Sequence, residues 1–382
     1  MRILHTTFAY PPEVSGVPEV VSQLSKRLAG MGHEVHVATG LPPGCARHET
    51  LDSVDVHRFS VSGSALTGCS GEVDQYTAFV LGGQWDVVAM HCSQIWSTDL
   101  LLPHLSQLRC PKVFVAHGLS AFGKRGTESY FESLARALQS VTMVSLARGL
   151  EDDGFCARYG LPAPVVIPNG VDTKLWNAPA LGVRDRWGIK DRPWLVTVGN
   201  HNPLKGHPDF FRLLAGVRKE IPTVAGTIIG RPHRAGKWRV GEIGVKGGCW
   251  YQCRLKALLS GNVNLLPNIA REYVVSAVKE ADVMICTSNW EASPLAVLEA
   301  MAAGTPWVSM EVGSVRDHVG GVMVTSVEAM RGAVVDLLQN PERRKALGRE
   351  GAERIASMHD WDAIARRYAE LYHSISREAV FA

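Results

Sequence analysis

Glu291-Ala-Ser-Pro-Leu-Ala-Val-Leu-Glu299 follows the apolar run Val283-Met284-Ile285-Cys286, from which it is separated by the polar residues Thr287 to Trp290. Four consecutive apolar residues, a short polar loop and then helical spacing describe a buried strand, a loop at its C-terminal end and a helix. Ser293 is placed to cap that helix, and Pro294 to take its first position, where a missing N–H removes no bond the helix needs. The helix would then open with unpaired N–H groups and the positive end of its dipole, which suits a phosphate. Glu291 stands just before the opening and Glu299 between one and two turns inside it. Two acceptors on either side of an anion site fit a sugar nucleotide.

Strand and helix alternate outward from this stretch in both directions. In the first half, strands are expected at 2–6, 34–39, 54–59, 87–90, 112–116, 141–145 and 165–167. A helix at 17–31 carries Val20, Val21, Leu24 and Leu28 at helical spacing, and another begins near Tyr130. The pattern restarts with strands at 194–198, 226–229, 263–266, 283–286 and 305–310 and helices at 208–219 and 271–280. Such alternation implies an α/β protein of two parallel sheets, each covered by helices on both faces, with a boundary near 170–190. The tail from Trp361 to Ile375 places Ile364, Ala365, Tyr368, Leu371 and Tyr372 on one helical face.

A chain of 382 residues, 46% of them hydrophobic and without a biased segment, is expected to be a soluble protein of two domains. No apolar run approaches a bilayer span, and the start leads directly into a strand rather than a secretion signal. Residues 1–180 hold 13 Lys/Arg against 16 Asp/Glu, and residues 181–382 hold 27 against 21. The acidic first half argues against docking on anionic lipid. The basic excess gathers in Arg231, Arg234, Lys237, Arg239, Lys246, Arg254 and Lys256, without the motif or period of a nucleic-acid reader. No nucleic-acid partner is expected, and the segment reads as a solvated loop or a site for a polyanion. The eight cysteines are scattered with no CxxC pair, which fits a reducing cytoplasmic setting. Cys249 and Cys253 could share one helix face, but no His or Cys pair lies close to them in sequence, which weighs against zinc. His201 and His207 read as loop residues.

Other candidates sit where strands end. Gly16 follows the first strand and the loop Tyr10-Pro-Pro-Glu-Val-Ser; it either lets the backbone approach a ligand closely or simply permits the turn, with Ser15 as cap. His117 follows the strand at 112–116 and reads equally as a structural histidine or as a group near a reacting hydroxyl or anomeric centre. His91 is a weaker case of the same kind. Lys205, in Gly199-Asn-His-Asn-Pro-Leu-Lys205-Gly206, suits a diphosphate whose departure it would ease. Asp152-Asp153 and Asp360-Trp-Asp362 read as structural acids at helix starts.

Four segments together resemble one family. Glu291 to Glu299 has the form of an E-x7-E element and is followed by Ala300-Met-Ala-Ala-Gly304-Thr-Pro306. Val166-Ile-Pro-Asn169-Gly170-Val-Asp172, the glycine loop ending at Gly16, and Lys205-Gly206 complete the set. The chain resembles the retaining glycosyltransferases of family 4, almost end to end. That resemblance implies a GT-B fold, two Rossmann-like doubly wound domains facing a central cleft, with the C-terminal helix crossing back to the first. It divides the chain into an acceptor-binding domain at 1–175, joined by a helix at about 361–382, and a nucleotide-sugar domain at 176–360. It implies a donor of the UDP- or GDP-hexose type, a hydroxyl acceptor, retention of anomeric configuration and no catalytic metal or other cofactor.

By the same resemblance Glu299 would meet the ribose and Glu291 the donor sugar. Lys205 and the N–H groups about Ser293, Leu295 and Ala296 would hold the diphosphate, with His117 near donor sugar and acceptor. The family's usual Arg beside the strand-end glycine is Asn200 here, and Arg231 or Lys237 is expected to replace it. The family's double glycine is Ser15-Gly16, and 232–248 is longer and more basic than the family pattern. A nucleotide-sugar epimerase on the same scaffold, or a non-catalytic nucleotide-sugar binder, are the alternatives.

Overall fold

Runs of Val, Ile, Leu and Ala with no exposed face drive the formation of two parallel sheets. The strands Val87–His91, Ala225–Ile229 and Val283–Cys286 are buried along their whole length, as expected where helices cover both sides. The structure, a computed structural model, describes residues 1–13, 15–232, 237–240, 243–246 and 248–381; for 237–240, 243–246 and 379–381 the description is of the backbone alone. It divides into two compact units, residues 1–170 with 361–382, and residues 171–360.

In the first unit Val165–Val166, Thr142–Ser145, Lys112–Val115, Val87–His91, Arg2–Thr6, Glu34–Gly40 and Val54–Phe59 lie side by side in that order, all parallel. His48–Leu51 closes the edge antiparallel. The order reverses between Arg2–Thr6 and Val87–His91, the topological switch point where open α/β sheets take ligands. The helix Trp361–Phe381 packs on the helix Gly16–Gly30, where Asp362 accepts from Arg27 at 2.6 Å. Its Tyr368 and Tyr372 are buried within the unit.

The second unit repeats the plan. Val263–Leu266, Ala225–Ile229, Trp194–Val198, Val283–Cys286, Trp307–Met310 and Gly321–Val324 form a six-stranded parallel sheet, ordered 3-2-1-4-5-6 by their place along the chain. One face is packed by Trp176, Val275, Val297 and Met301, the other by Phe210, Leu214, Met330 and Val334. The switch point falls between Trp194–Val198 and Val283–Cys286, so the loops leaving these two strands meet at one place. The helices Val327–Gln339 and Pro341–Met358 have no counterpart in the sequence-based reading, and Gly248–Ser260 is anticipated there only as a helix face that Cys249 and Cys253 could share. Among the described residues no helix is long and apolar enough to cross a membrane.

Candidate active site

The loop after Trp194–Val198 is built onto the loop after Val283–Cys286. Thr287 Oγ1 donates to the Lys205 carbonyl at 3.1 Å, and the Asn289 N–H to the Leu204 carbonyl at 2.7 Å. Gly206 makes this docking possible: its φ is +61°, and a Cβ there would stand 2.0 Å from the Thr287 carbonyl oxygen. The Lys205 stem runs beside Gly199, within 3.3 Å of where a Cβ would project, and its ammonium reaches Glu291 Oε1 at 2.5 Å. Ser288 Oγ donates to the same carboxylate oxygen at 2.7 Å. The structure thus brings Lys205 and Glu291 together, 86 residues apart in sequence, and adds Ser288, which sequence reasoning missed.

The helix itself differs from expectation. It spans Leu295–Ala302, Pro294 rather than Ser293 occupies the N-cap, and no side chain caps it. Pro294 takes an extended conformation, with ψ at 106°, so the first turn begins one residue later than a Pro at the first helical position would give. The Pro294 carbonyl accepts from Val297 at 3.0 Å, which leaves the N–H groups of Leu295 and Ala296 at the helix opening. Glu299, on the buried face, accepts from Arg271, whose guanidinium lies over the Trp176 ring at 5.4 Å from its centroid. Arg271 was missed because the first residue of a helix, seen in sequence, gives no hint of a carboxylate 28 residues away.

Asn200 and Arg231 are placed together but differently from a simple exchange of roles. The Asn200 side chain accepts from the Arg231 N–H at 3.1 Å, so the asparagine holds the neighbouring turn while the Arg231 side chain is exposed. The Lys237 side chain, with most of the basic segment, lies outside the described residues.

In the first unit three histidines form a chain at the switch point. His5 Nδ1 lies 2.9 Å from His91 Nε2, and His91 Nδ1 lies 2.9 Å from His117 Nε2. His91 is the last residue of its strand rather than a loop residue, and His5, inside the first strand, was overlooked although a histidine in a fully buried strand was a visible anomaly. Burial holds His117 down to about 4 and His5 down to about 3, and it lowers His91 strongly as well, with its two neighbours adding to the effect. All three are therefore neutral at pH 7, and each link needs one ring to donate and the next to accept. Cys92, Gln94 and His117 have φ of 67°, 59° and 52°, a concentration of left-handed non-glycine residues of the kind found where backbone is held for function.

Gly16 is the first residue of its helix, and nothing among the described residues lies within 4 Å of where its Cβ would be. Its φ is not left-handed, so neither turn geometry nor packing requires glycine there. Ser15 is at the N-cap position, but its side chain makes no capping bond. Asp152 is buried and accepts from Ser145 at 2.7 Å, while Asp360 accepts from Thr173 at 2.5 Å; both are tied into the fold.

The family model described as Glycosyltransferase Family 4 matches residues 14–175, and that described as Glycosyl transferases group 1 matches residues 183–354. The chain belongs to the family 4 glycosyltransferases. It is 25% identical to a Mycobacterium tuberculosis glycogen synthase over 420 residues, spanning 99% of this chain and 95% of that protein. Among solved structures it resembles sucrose-phosphate synthase from Thermosynechococcus elongatus, with a TM-score of 0.80, 20% identity and 98% of each chain covered. Anabaena Alr3699/HepE, solved in complex with UDP-glucose, gives a TM-score of 0.76 at 14% identity, covering 98% of this chain and 100% of that one. These likenesses establish the GT-B fold of the glycosyltransferase.

Proposed function

We propose that this glycosyltransferase moves a hexose from a nucleoside diphosphate sugar, of the UDP or GDP type, to a hydroxyl of an acceptor, with retention of anomeric configuration. The observation that carries the reading is the Lys205–Glu291 ion pair, which joins the two loops that leave the switch-point strands of the second sheet. Breaking a sugar–diphosphate bond builds negative charge on the leaving oxygens. Preorganised donors aimed at that charge lower the barrier more than donors aimed at the ground state. The N–H groups of Leu295 and Ala296 would hold the diphosphate, and Lys205 would turn from Glu291 to it. Glu291, released, would accept from hydroxyls of the donor sugar.

Glu299, held by Arg271, would accept from the ribose, and the exposed Arg231, whose backbone is bonded to Asn200 and His201 of the Lys205 loop, would add charge. Glycine at 16 leaves room for a substrate group to approach the backbone, and His117 would act on the acceptor side through its neutral imidazole. The transfer needs no metal at the diphosphate, since Lys205 and the helix supply the positive charge. Support for a uridine donor comes from the HepE complex, and support for a sugar hydroxyl as acceptor from the glycogen synthase relative. The test is to incubate the protein with UDP-glucose and GDP-mannose and a panel of hydroxyl acceptors. Release of nucleoside diphosphate with an axial product anomer supports the reading. An isomerised nucleotide sugar formed without acceptor, or an inverted product, overturns it.

A further inference from the structure

Four side chains from three separate elements of the second unit converge on one point. Cys249 and Cys253 lie four residues apart on the helix Gly248–Ser260 and so project from the same face. His207 is the first residue of the helix His207–Val217, and His201 lies just beyond the strand Trp194–Val198, anchored by its N–H on the Arg231 carbonyl at 2.9 Å. The two Nδ1 atoms are 3.2 Å apart, and Cys249 Sγ lies 3.8 and 3.9 Å from those of His201 and His207. All four ligand atoms, Cys253 Sγ included, are within 4.8 Å of one another, and three of the four residues are buried.

A tetrahedron around zinc with Zn–N of about 2.05 Å and Zn–S of about 2.3 Å has an N–N edge of about 3.3 Å and N–S edges of about 3.6 Å. The His201–His207 edge and the two edges from Cys249 to the histidines agree to within a few tenths of an ångström. Hydrogen bonding alone satisfies this cluster poorly. Two Nδ1 atoms in contact can share only one proton, thiols are weak donors, and the buried His201 Nε2 has no partner among the described residues. Two thiolates around a dication, by contrast, form a neutral unit that can be buried. Soft sulfur and imidazole nitrogen in tetrahedral array select zinc over the oxygen-seeking cations.

We propose that His201, His207, Cys249 and Cys253 bind one zinc ion as a closed structural site. With four protein ligands no position is left for substrate, so the ion acts on the backbone around it. Lys205 lies between the two histidines, and the ion fastens both ends of its loop while tying that loop to the helix Gly248–Ser260. The site stands whether or not Lys205 binds a diphosphate.

The experiment is to express the full chain with zinc in the medium, dialyse it without chelator and measure metal by mass spectrometry, beside Cys249→Ser, Cys253→Ser and a Cys69→Ser control. One zinc per chain is expected in wild type and control and less than 0.2 in the other two. Because those two variants could unfold, the wild type is also stripped and reloaded with cobalt(II). Thiolate-to-cobalt charge transfer near 350 nm and d–d bands between 600 and 750 nm are expected of a tetrahedral S2N2 site. Amide exchange over residues 200–207 should accelerate at least tenfold on stripping and recover with zinc. Wild-type protein with less than 0.2 zinc and no tetrahedral cobalt spectrum overturns the site. A loaded site whose removal leaves exchange in that loop unchanged overturns the fastening.

Discussion

Replacing Lys205 by Met keeps most of the stem that lies beside Gly199 and removes only the ammonium. Glu291 then retains Ser288 as its hydroxyl donor, with its side chain only 14% exposed. A hydrogen bond to a charged group contributes about 1.5–3 kcal/mol, and the partly exposed Lys205 places this pair at the low end, so the variant should lose about 1–2 kcal/mol of stability. Donor binding is affected differently. The ligand-free protein already satisfies Lys205 through Glu291, so only the gain on exchanging carboxylate for diphosphate is lost, about tenfold in Kd. Turnover loses more, because negative charge is largest on the departing diphosphate, and a fall of about 100-fold or more in kcat is expected. Urea unfolding of Lys205→Met, Glu291→Gln and the double variant gives the coupling, expected near 1 kcal/mol, while calorimetry with UDP and GDP and a turnover assay give the rest. Coupling below about 0.3 kcal/mol, which is the scatter of independent sites, with kcat within threefold of wild type, would refute the reasoning.

Stability should depend on pH through the histidine chain. With folded values near 4 for His117 and 3 for His5 against 6.5 when free, the unfolded chain binds more protons below pH 6.5, so stability falls as pH drops from 6.5 toward 4. The loss is on the order of 1–2 kcal/mol per histidine at pH 5. Urea midpoints at pH 5 and 7 check it, and the difference should shrink in His117→Gln. Two glycines should respond oppositely to alanine. Gly206→Ala forces a Cβ against the Thr287 carbonyl in a left-handed backbone and should cost about 2 kcal/mol or more with a fall in Tm. Gly16→Ala meets nothing among the described residues and should leave Tm unchanged while lowering kcat/KM, by calorimetry and turnover respectively.

Much of the scaffold was legible because parallel strands buried on both faces leave continuous apolar runs. The strands Arg2–Thr6, Trp194–Val198 and Val283–Cys286 begin and end where the sequence placed them. The reading erred on Ser293: a good capping residue before Pro was assigned the cap, but the extended Pro294 holds that position. It did not foresee that His201, His207, Cys249 and Cys253 come together, because they lie in different elements and were read separately. Only the sheet order, which sets Ala225–Ile229 beside Trp194–Val198 and brings the following helix across, closes that gap. His5 and Arg271 share this cause: each is defined by a partner distant in sequence, and a single chain without tertiary contacts gives no such pairing; Ser288 bonds Glu291 only three residues on and was simply overlooked.

The most direct test of the account is a crystal structure with the nucleoside diphosphate that stabilises the protein most in a thermal screen of UDP and GDP. The diphosphate should rest on the N–H groups of Leu295 and Ala296, with Lys205 Nζ moved from Glu291 onto a phosphate oxygen and a ribose hydroxyl on Glu299. A nucleotide bound away from the Leu295 helix, with the Lys205–Glu291 pair still closed, would contradict it.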